Sequence, residues 1–155
     1  MIRHETRVRV RYPDTDQMGV VYHARYLEYF ETGRTELLRD LGLPYASIEA
    51  RGVLLPVLEA HVVMRRPARY DDLLTVVSML RELPTARMSI DYEIMRDGEL
   101  LVTGSTVHAF TTADGMRPVR PPRELMEVMR GAMEASDPQP ATIDAAGVTA
   151  AAGRP

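Results

Sequence analysis

The sequence predicts an α+β domain in which one antiparallel sheet is covered by one long helix. Three observations predict it. The hydrophobic pattern repeats every two residues over Arg3–Tyr12 and changes to a helical repeat over Tyr26–Leu41. After Gly52, apolar and β-branched stretches follow one another with only short turns between them. The chain, at 155 residues, has the length of a single domain that can bury a core without disulfides or metals. A sheet with one apolar face needs one covering layer, and a single long helix supplies it.

Taken in order, Arg3–Tyr12 places Val8, Val10 and Tyr12 on one face and Arg7, Arg9 and Arg11 on the other, the mark of a half-buried strand. Pro13 interrupts it, and Asp14-Thr15-Asp16-Gln17-Met18-Gly19 has the composition of a loop. From Tyr26 to Leu41 the residues Leu27, Phe30, Leu37, Leu38 and Leu41 form a helical stripe, which Gly42 and Pro44 bring to a stop. Gly33 lies inside that helix, where it costs about 1 kcal/mol relative to Ala, and is read as a point of close packing on the sheet. A short helix is expected over Pro44–Ala50 and strands over Val53–Arg66, Leu73–Leu80, Met88–Met95 and Leu100–Phe110. Pro67, Asp97-Gly98 and Asp114-Gly115 punctuate them. A last helix is expected over Pro122–Met133. From Ser136 on, Asp, Pro, Ala, Thr and Gly dominate and cannot offset the entropy of ordering, so the expectation is a domain over residues 1–135 and a flexible tail over 136–155.

The formal charge of −3 provides no basic field, so a nucleic-acid partner is not expected. There is no cysteine, which excludes disulfides, thiol nucleophiles and thiolate metal sites. The start of the chain lacks the apolar core of a signal peptide, and no apolar run approaches the ~20 residues of a membrane helix. A cytoplasmic location without membrane insertion is therefore the expectation.

Chemistry concentrates in Tyr12–Glu36. Two carboxylates, Asp14 and Asp16, sit in a loop that runs through Gly19 and the Tyr22-His23 pair into a helix. A helix entry presents unpaired N–H groups and the positive dipole end, which can polarise an oxygen that becomes negative during reaction. Aspartates also serve simply as turn formers. An EF-hand reading fails, because Met18 and Arg25 stand at its fifth and twelfth positions. His4, His23, His61 and His108 are scattered, so no metal is expected. No serine sits in a nucleophile elbow.

The run Asp14-Thr15-Asp16, Gly19-Val20-Val21-Tyr22-His23, Tyr26, Glu31 and Arg34-Thr35-Glu36 resembles the signature of the 4-hydroxybenzoyl-CoA thioesterase superfamily. Within it the chain is most similar to the YbgC-like acyl-CoA thioesterases associated with the Tol–Pal system. The resemblance extends through Arg66-Pro67-Ala68-Arg69-Tyr70-Asp71-Asp72-Leu73, Thr106–Phe110 and Arg117–Pro122, and spans about residues 5–130.

The resemblance implies a hotdog fold, a sheet wrapped round a long central helix, and hydrolysis of acyl-CoA or acyl-carrier-protein thioesters without a cofactor. It implies Asp16 as the catalytic carboxylate, either nucleophile or general base, and Asp14 as a structural residue. It further implies the Tyr22 amide as the donor to the thioester oxygen, Gly19 and Arg87 as substrate contacts, and His23 as a group that orients Asp16, positions water or protonates the thiolate. Arg65, Arg66, Arg69, Arg117, Arg120 and Arg123 are further candidates for coenzyme A phosphates. Glu31, Arg34 and Glu36 read as helix-surface ion pairs or contacts between subunits. Met18, Val57, Met64, Met88 and Phe110 are possible pocket walls, with core packing the stronger reading for each. The family's active sites lie between subunits, so a homo-oligomer, dimer or homotetramer, is expected. A hotdog hydratase or dehydratase using His23 and Asp16, or a non-catalytic acyl-CoA-binding protein, are the alternative functions.

Overall fold

The computed structural model describes residues 1–136. The tail expected from Ser136 lies outside the described residues, apart from Ser136 itself, which ends the last helix. The strands are β1 (Ile2–Arg9), β2 (Val53–Leu54), β3 (Val57–Met64), β4 (Leu73–Leu80), β5 (Arg87–Arg96), β6 (Glu99–Ala109) and β7 (Thr111–Thr112). The helices are α1 (Arg25–Asp40), α2 (Tyr45–Ala50) and α3 (Arg123–Ser136).

β1, β4, β5, β6 and β3 pair in that order into one antiparallel sheet, while β2 and β7 form a two-stranded ladder beside it. α1 lies across one face of the five-stranded sheet. This is the hotdog arrangement that the resemblance implied.

The core follows from period-two alternation. Met88, Ile90, Tyr92 and Ile94 of β5 are buried beneath α1, as are Val76 and Leu80 of β4. From the helix, Phe30 stacks on Tyr92 with ring centroids 4.3 Å apart and planes within 7°. A Cβ added at Gly33 would stand 2.5 Å from Ser78 Oγ and 2.8 Å from Val76 Cγ1, so the helix backbone sits directly on β4. The reading of Gly33 as a close-packing point holds.

Three local expectations differ. Leu27, placed on the apolar stripe, is 41% exposed; Phe30, Leu37 and Leu38 are buried as expected, and Tyr26, Tyr29, Gly33 and Arg34 complete the buried face. The first strand stops at Arg9, so Tyr12 stands in a 3-10 turn (Tyr12–Asp14) and faces solvent. The strand expected over Val53–Arg66 is two strands, because Pro56 cannot donate to a ladder.

The two sheet edges differ in character. β1 exposes Arg3, Glu5, Arg7 and Arg9, the charged edge that blunts association. β3 exposes Val57, Leu58, Val63 and Met64 along an unpaired ladder.

Candidate active site

The loop between β1 and α1 is built around Asp14. Its buried carboxylate accepts from the Arg11 amide at 2.8 Å, from Arg11 Nη2 at 2.9 Å and Nε at 3.2 Å, and from the Tyr29 hydroxyl at 3.2 Å. Burial alone would raise the Asp14 pKa, but the Arg11 hydrogen bonds outweigh it and hold the carboxyl below its usual value. Burial, with the Asp14 charge adding to it, pushes the Tyr29 phenol up. Asp14 is thus fully engaged in holding the loop to the helix.

Asp16 is held differently. Its Oδ1 accepts from the Met18 amide at 2.8 Å, and its own amide donates to the Val20 carbonyl at 2.9 Å. Oδ2 has no hydrogen-bond partner among the described residues. Gly19 closes this turn at φ +73°, a backbone conformation that other residues adopt at a cost. The turn is then tied to the segment before β4: Val21 donates to the Ala68 carbonyl at 2.9 Å, and Arg69 Nη1 donates to the Gly19 carbonyl at 3.3 Å. The Arg66–Leu73 motif therefore braces the Asp16 loop.

Asp16, Met18, Val20, Val21, His23 and Tyr26 line one cleft of about 270 Å³ with Met64, Arg65, Arg66 and Pro67. Among the described residues the His23 ring makes no hydrogen bond to Asp16, although both line this cleft; it lies against the Tyr22 ring in a tilted contact, with centroids 4.3 Å apart and planes at 50°. The Tyr22 amide donates to the Asp14 carbonyl at 2.9 Å, so the donor expected there is already used. The next amide, that of His23, has no partner among the described residues. The free amides at the head of α1, those of His23 and Ala24, thus follow the residue that the resemblance implied, at the positive end of the helix dipole.

Two of the expected contacts lie elsewhere. Gly19 does not line the cleft and acts through backbone shape. Arg87 starts β5 at the opposite end of the sheet, 3.3 Å from Glu59. Met88 and Phe110 are core residues, whereas Met18 and Met64 are exposed and form cleft wall. Of the arginines near the cleft, Arg66 pairs with Glu99 at 3.0 Å and Arg69 is committed to Gly19. Among the described residues no cluster of three or more His, Asp or Glu is arranged for a metal, and no helix is long and apolar enough to cross a membrane.

A buried polar network under α1 was not foreseen. His108 Nδ1 lies 3.3 Å from the Leu55 carbonyl, which can only accept, so Nδ1 carries the proton. Nε2 then accepts from Arg34 at 3.2 Å and from the Thr106 hydroxyl at 2.8 Å, and Thr106 in turn accepts from Tyr92 at 2.9 Å. Burial, reinforced by the Arg34 charge, lowers the His108 pKa to about 4. The inward register of Thr106, His108 and Phe110 was the available signal. Arg34 is accordingly not on the helix surface; only Glu36 makes the expected surface pair, with Arg39.

A model of the thioesterase-like superfamily matches residues 10–129. The chain is 34% identical over 114 residues to a putative acyl-CoA thioesterase, YneP, of Bacillus subtilis, covering 73% of this chain and 83% of that protein. It is 36% identical over 119 residues to the acyl-CoA thioesterase YbgC of Haemophilus influenzae, covering 76% and 88%. Among solved structures, a DHNA-CoA thioesterase from Staphylococcus aureus superposes with a TM-score of 0.81 at 29% identity, over 90% of this chain and 98% of that one.

Proposed function

The chain belongs to the thioesterase-like superfamily, and on that premise we propose that it hydrolyses acyl-CoA thioesters with Asp16 as the catalytic carboxylate. One observation carries the reading: a carboxylate with a free Oδ2 and an unpartnered helix-entry amide, that of His23, belong to one mostly apolar cleft. The thioester oxygen takes the His23 amide and the dipole of α1. A good donor of this kind is worth roughly 3–4 kcal/mol in the transition state. Asp16 then either attacks the carbonyl carbon, releasing the thiolate and leaving an anhydride that water opens, or removes a proton from the water that attacks directly. In both routes thioester and water become acid and thiol. The His23 ring, exposed at the same cleft, supplies the proton to the departing sulfur.

We further assign a homo-oligomer, a β3-to-β3 dimer as the unit and a homotetramer as the larger assembly. The support is the contrast between the apolar β3 edge and the charged β1 edge. Pairing two β3 strands antiparallel about a twofold sets Met64 of one copy beside Val57 of the other. Val57 is level with His108, and Ala109 pairs with Arg87. Within one chain Val57 and Met64 are about 23 Å apart along the strand; across the dimer, Arg87 approaches the neighbouring cleft and can take a coenzyme A phosphate there. Acyl-carrier-protein thioesters present the same reacting group. Residues 1–135 form the catalytic domain, and the location is cytoplasmic.

The test is thiol release from a panel of acyl-CoAs. Wild type turns over at least one of them, and Asp16→Asn, folded to the same extent, loses at least about a hundredfold in kcat. Turnover that survives Asp16→Asn removes Asp16 from the mechanism.

A further inference from the structure

Three charged side chains on α1 have no oppositely charged partner among the described residues: Asp40 at its exposed end, and Glu31 and Arg34 in its middle. Arg34 is only 8% exposed, and its guanidinium bonds to a neutral imidazole, His108 Nε2, with no carboxylate in ion-pair range. A buried cation that meets only neutral acceptors is expensive, because a hydrogen bond does not replace the hydration of a full charge. Glu31, one turn earlier, is exposed and equally unpaired. Its neighbours on the helix behave otherwise: Glu28 pairs with Arg25, and Glu36 with Arg39. Residues 31 and 34 have the spacing at which an internal pair closes, yet Arg34 turns inward instead.

The rotation of the helix says where these charges lie. At 3.6 residues per turn, the circuit from Gly33 (on Val76 and Ser78 of β4) passes Phe30 (over Gly104 of β6) and then Arg34 (on His108 of β6). The next flank, Leu27 and Glu31, overhangs β3, the open edge of the sheet. That flank is therefore continuous with the apolar edge formed by Val57, Leu58, Val63 and Met64, and Leu27 on it is itself exposed.

We propose that a second copy of this chain docks along this flank and that Glu31 of the partner subunit is the counter-ion of Arg34. The inference rests on the β3-edge dimer and adds the side chains that lock it. Twofold symmetry makes the contact reciprocal, so each dimer holds two such pairs between antiparallel α1 helices. The charge missing inside one protomer is matched by an unpaired opposite charge one turn away on the flank that faces the open sheet edge, which is the complementarity a self-association surface needs. His108 remains the neutral acceptor behind the pair.

Sedimentation velocity over a dilution series tests it on the full chain, using wild type, Glu31→Gln, Glu31→Arg, Arg34→Glu and the double variant Glu31→Arg/Arg34→Glu. Glu31 is exposed in the protomer, so its variants keep the fold, checked by circular dichroism. Each Glu31 variant is expected to raise the dimer dissociation constant by about thirtyfold or more, the lower range for stripping one partner from a buried charge pair. The double variant is expected to recover assembly towards wild type. If Arg34→Glu does not fold, the two Glu31 variants decide alone. Wild type that assembles while both Glu31 variants assemble equally well overturns this pairing and leaves the dimer standing. Wild type that stays monomeric at every concentration overturns the dimer and the pairing with it, and leaves the catalytic reading to its own test.

Discussion

Asp14 and Asp16 are two residues apart and chemically identical, and the structure separates them by what surrounds each. Asp14 is surrounded by donors and has no free capacity, whereas Asp16 spends one oxygen on a turn and keeps the other. Their variants should differ in kind. Asp14→Asn is expected to lower stability by about 1–3 kcal/mol in urea unfolding, because the Arg11 and Tyr29 donors lose a charged acceptor. Asp16→Asn is expected to stay within about 0.5 kcal/mol of wild type and to lose turnover. His108 sets a pH window. Its folded pKa of about 4 lies below the 6.5 of an unconstrained histidine, so between those values the unfolded chain binds a proton that the folded chain refuses. Stability is expected to be full above pH 6.5 and to fall as pH drops towards 4, by about 3 kcal/mol for this group. Denaturant unfolding at pH 7 and pH 4.5 should show a smaller drop for His108→Gln than for wild type. Asp14, with its lowered pKa, contributes stability in full above the usual carboxylate value near 3.8 and loses it as pH falls below that value.

At the level of elements, glycine in a helix has opposite meanings in α1 and α3. Alanine is the better helix former by about 1 kcal/mol in either place. At Gly33 a methyl group would strike the Ser78 hydroxyl and the branched Val76, both fully buried, and overpacking of that kind costs about 1–3 kcal/mol. At Gly131 nothing stands within 4 Å among the described residues. Gly33→Ala is therefore expected to destabilise, and Gly131→Ala to stabilise by roughly 0.5–1 kcal/mol, both read from denaturant midpoints. The order of elements was legible because periodicity reports which faces are apolar. The stripe on α1 was misread at Leu27 because hydrophobicity alone cannot say which apolar residues meet the sheet and which meet solvent or another chain.

For the whole molecule, the cleft and Arg87 stand at opposite ends of one protomer, and only the proposed β3-edge dimer would bring them together. If one site takes Asp16 from one subunit and Arg87 from the other, two defective chains can repair each other. Asp16→Asn and Arg87→Ala are each expected to be impaired alone. Mixed by unfolding and refolding, they should regain roughly a quarter of the wild-type sites, because half of the dimers are mixed and one site in each is intact. No recovery on mixing would place Arg87 outside the site.

Periodicity and the placement of glycine and proline determined by themselves the α+β plan, the long helix and the succession of strands, because local backbone preference and face polarity are written residue by residue. The spaced run from Asp14 to Glu36 likewise marked the family, which the thioesterase-like superfamily match over residues 10–129 shows. The tertiary structure decided which amides at the head of α1 are free, since the Asp14 carbonyl takes the Tyr22 amide and leaves those of His23 and Ala24 without a partner among the described residues. It also decided that Arg34 is buried against a histidine 74 residues away. Hydrogen-bond capacity is allotted by three-dimensional neighbours, and no spacing in a single chain records whose capacity has already been spent.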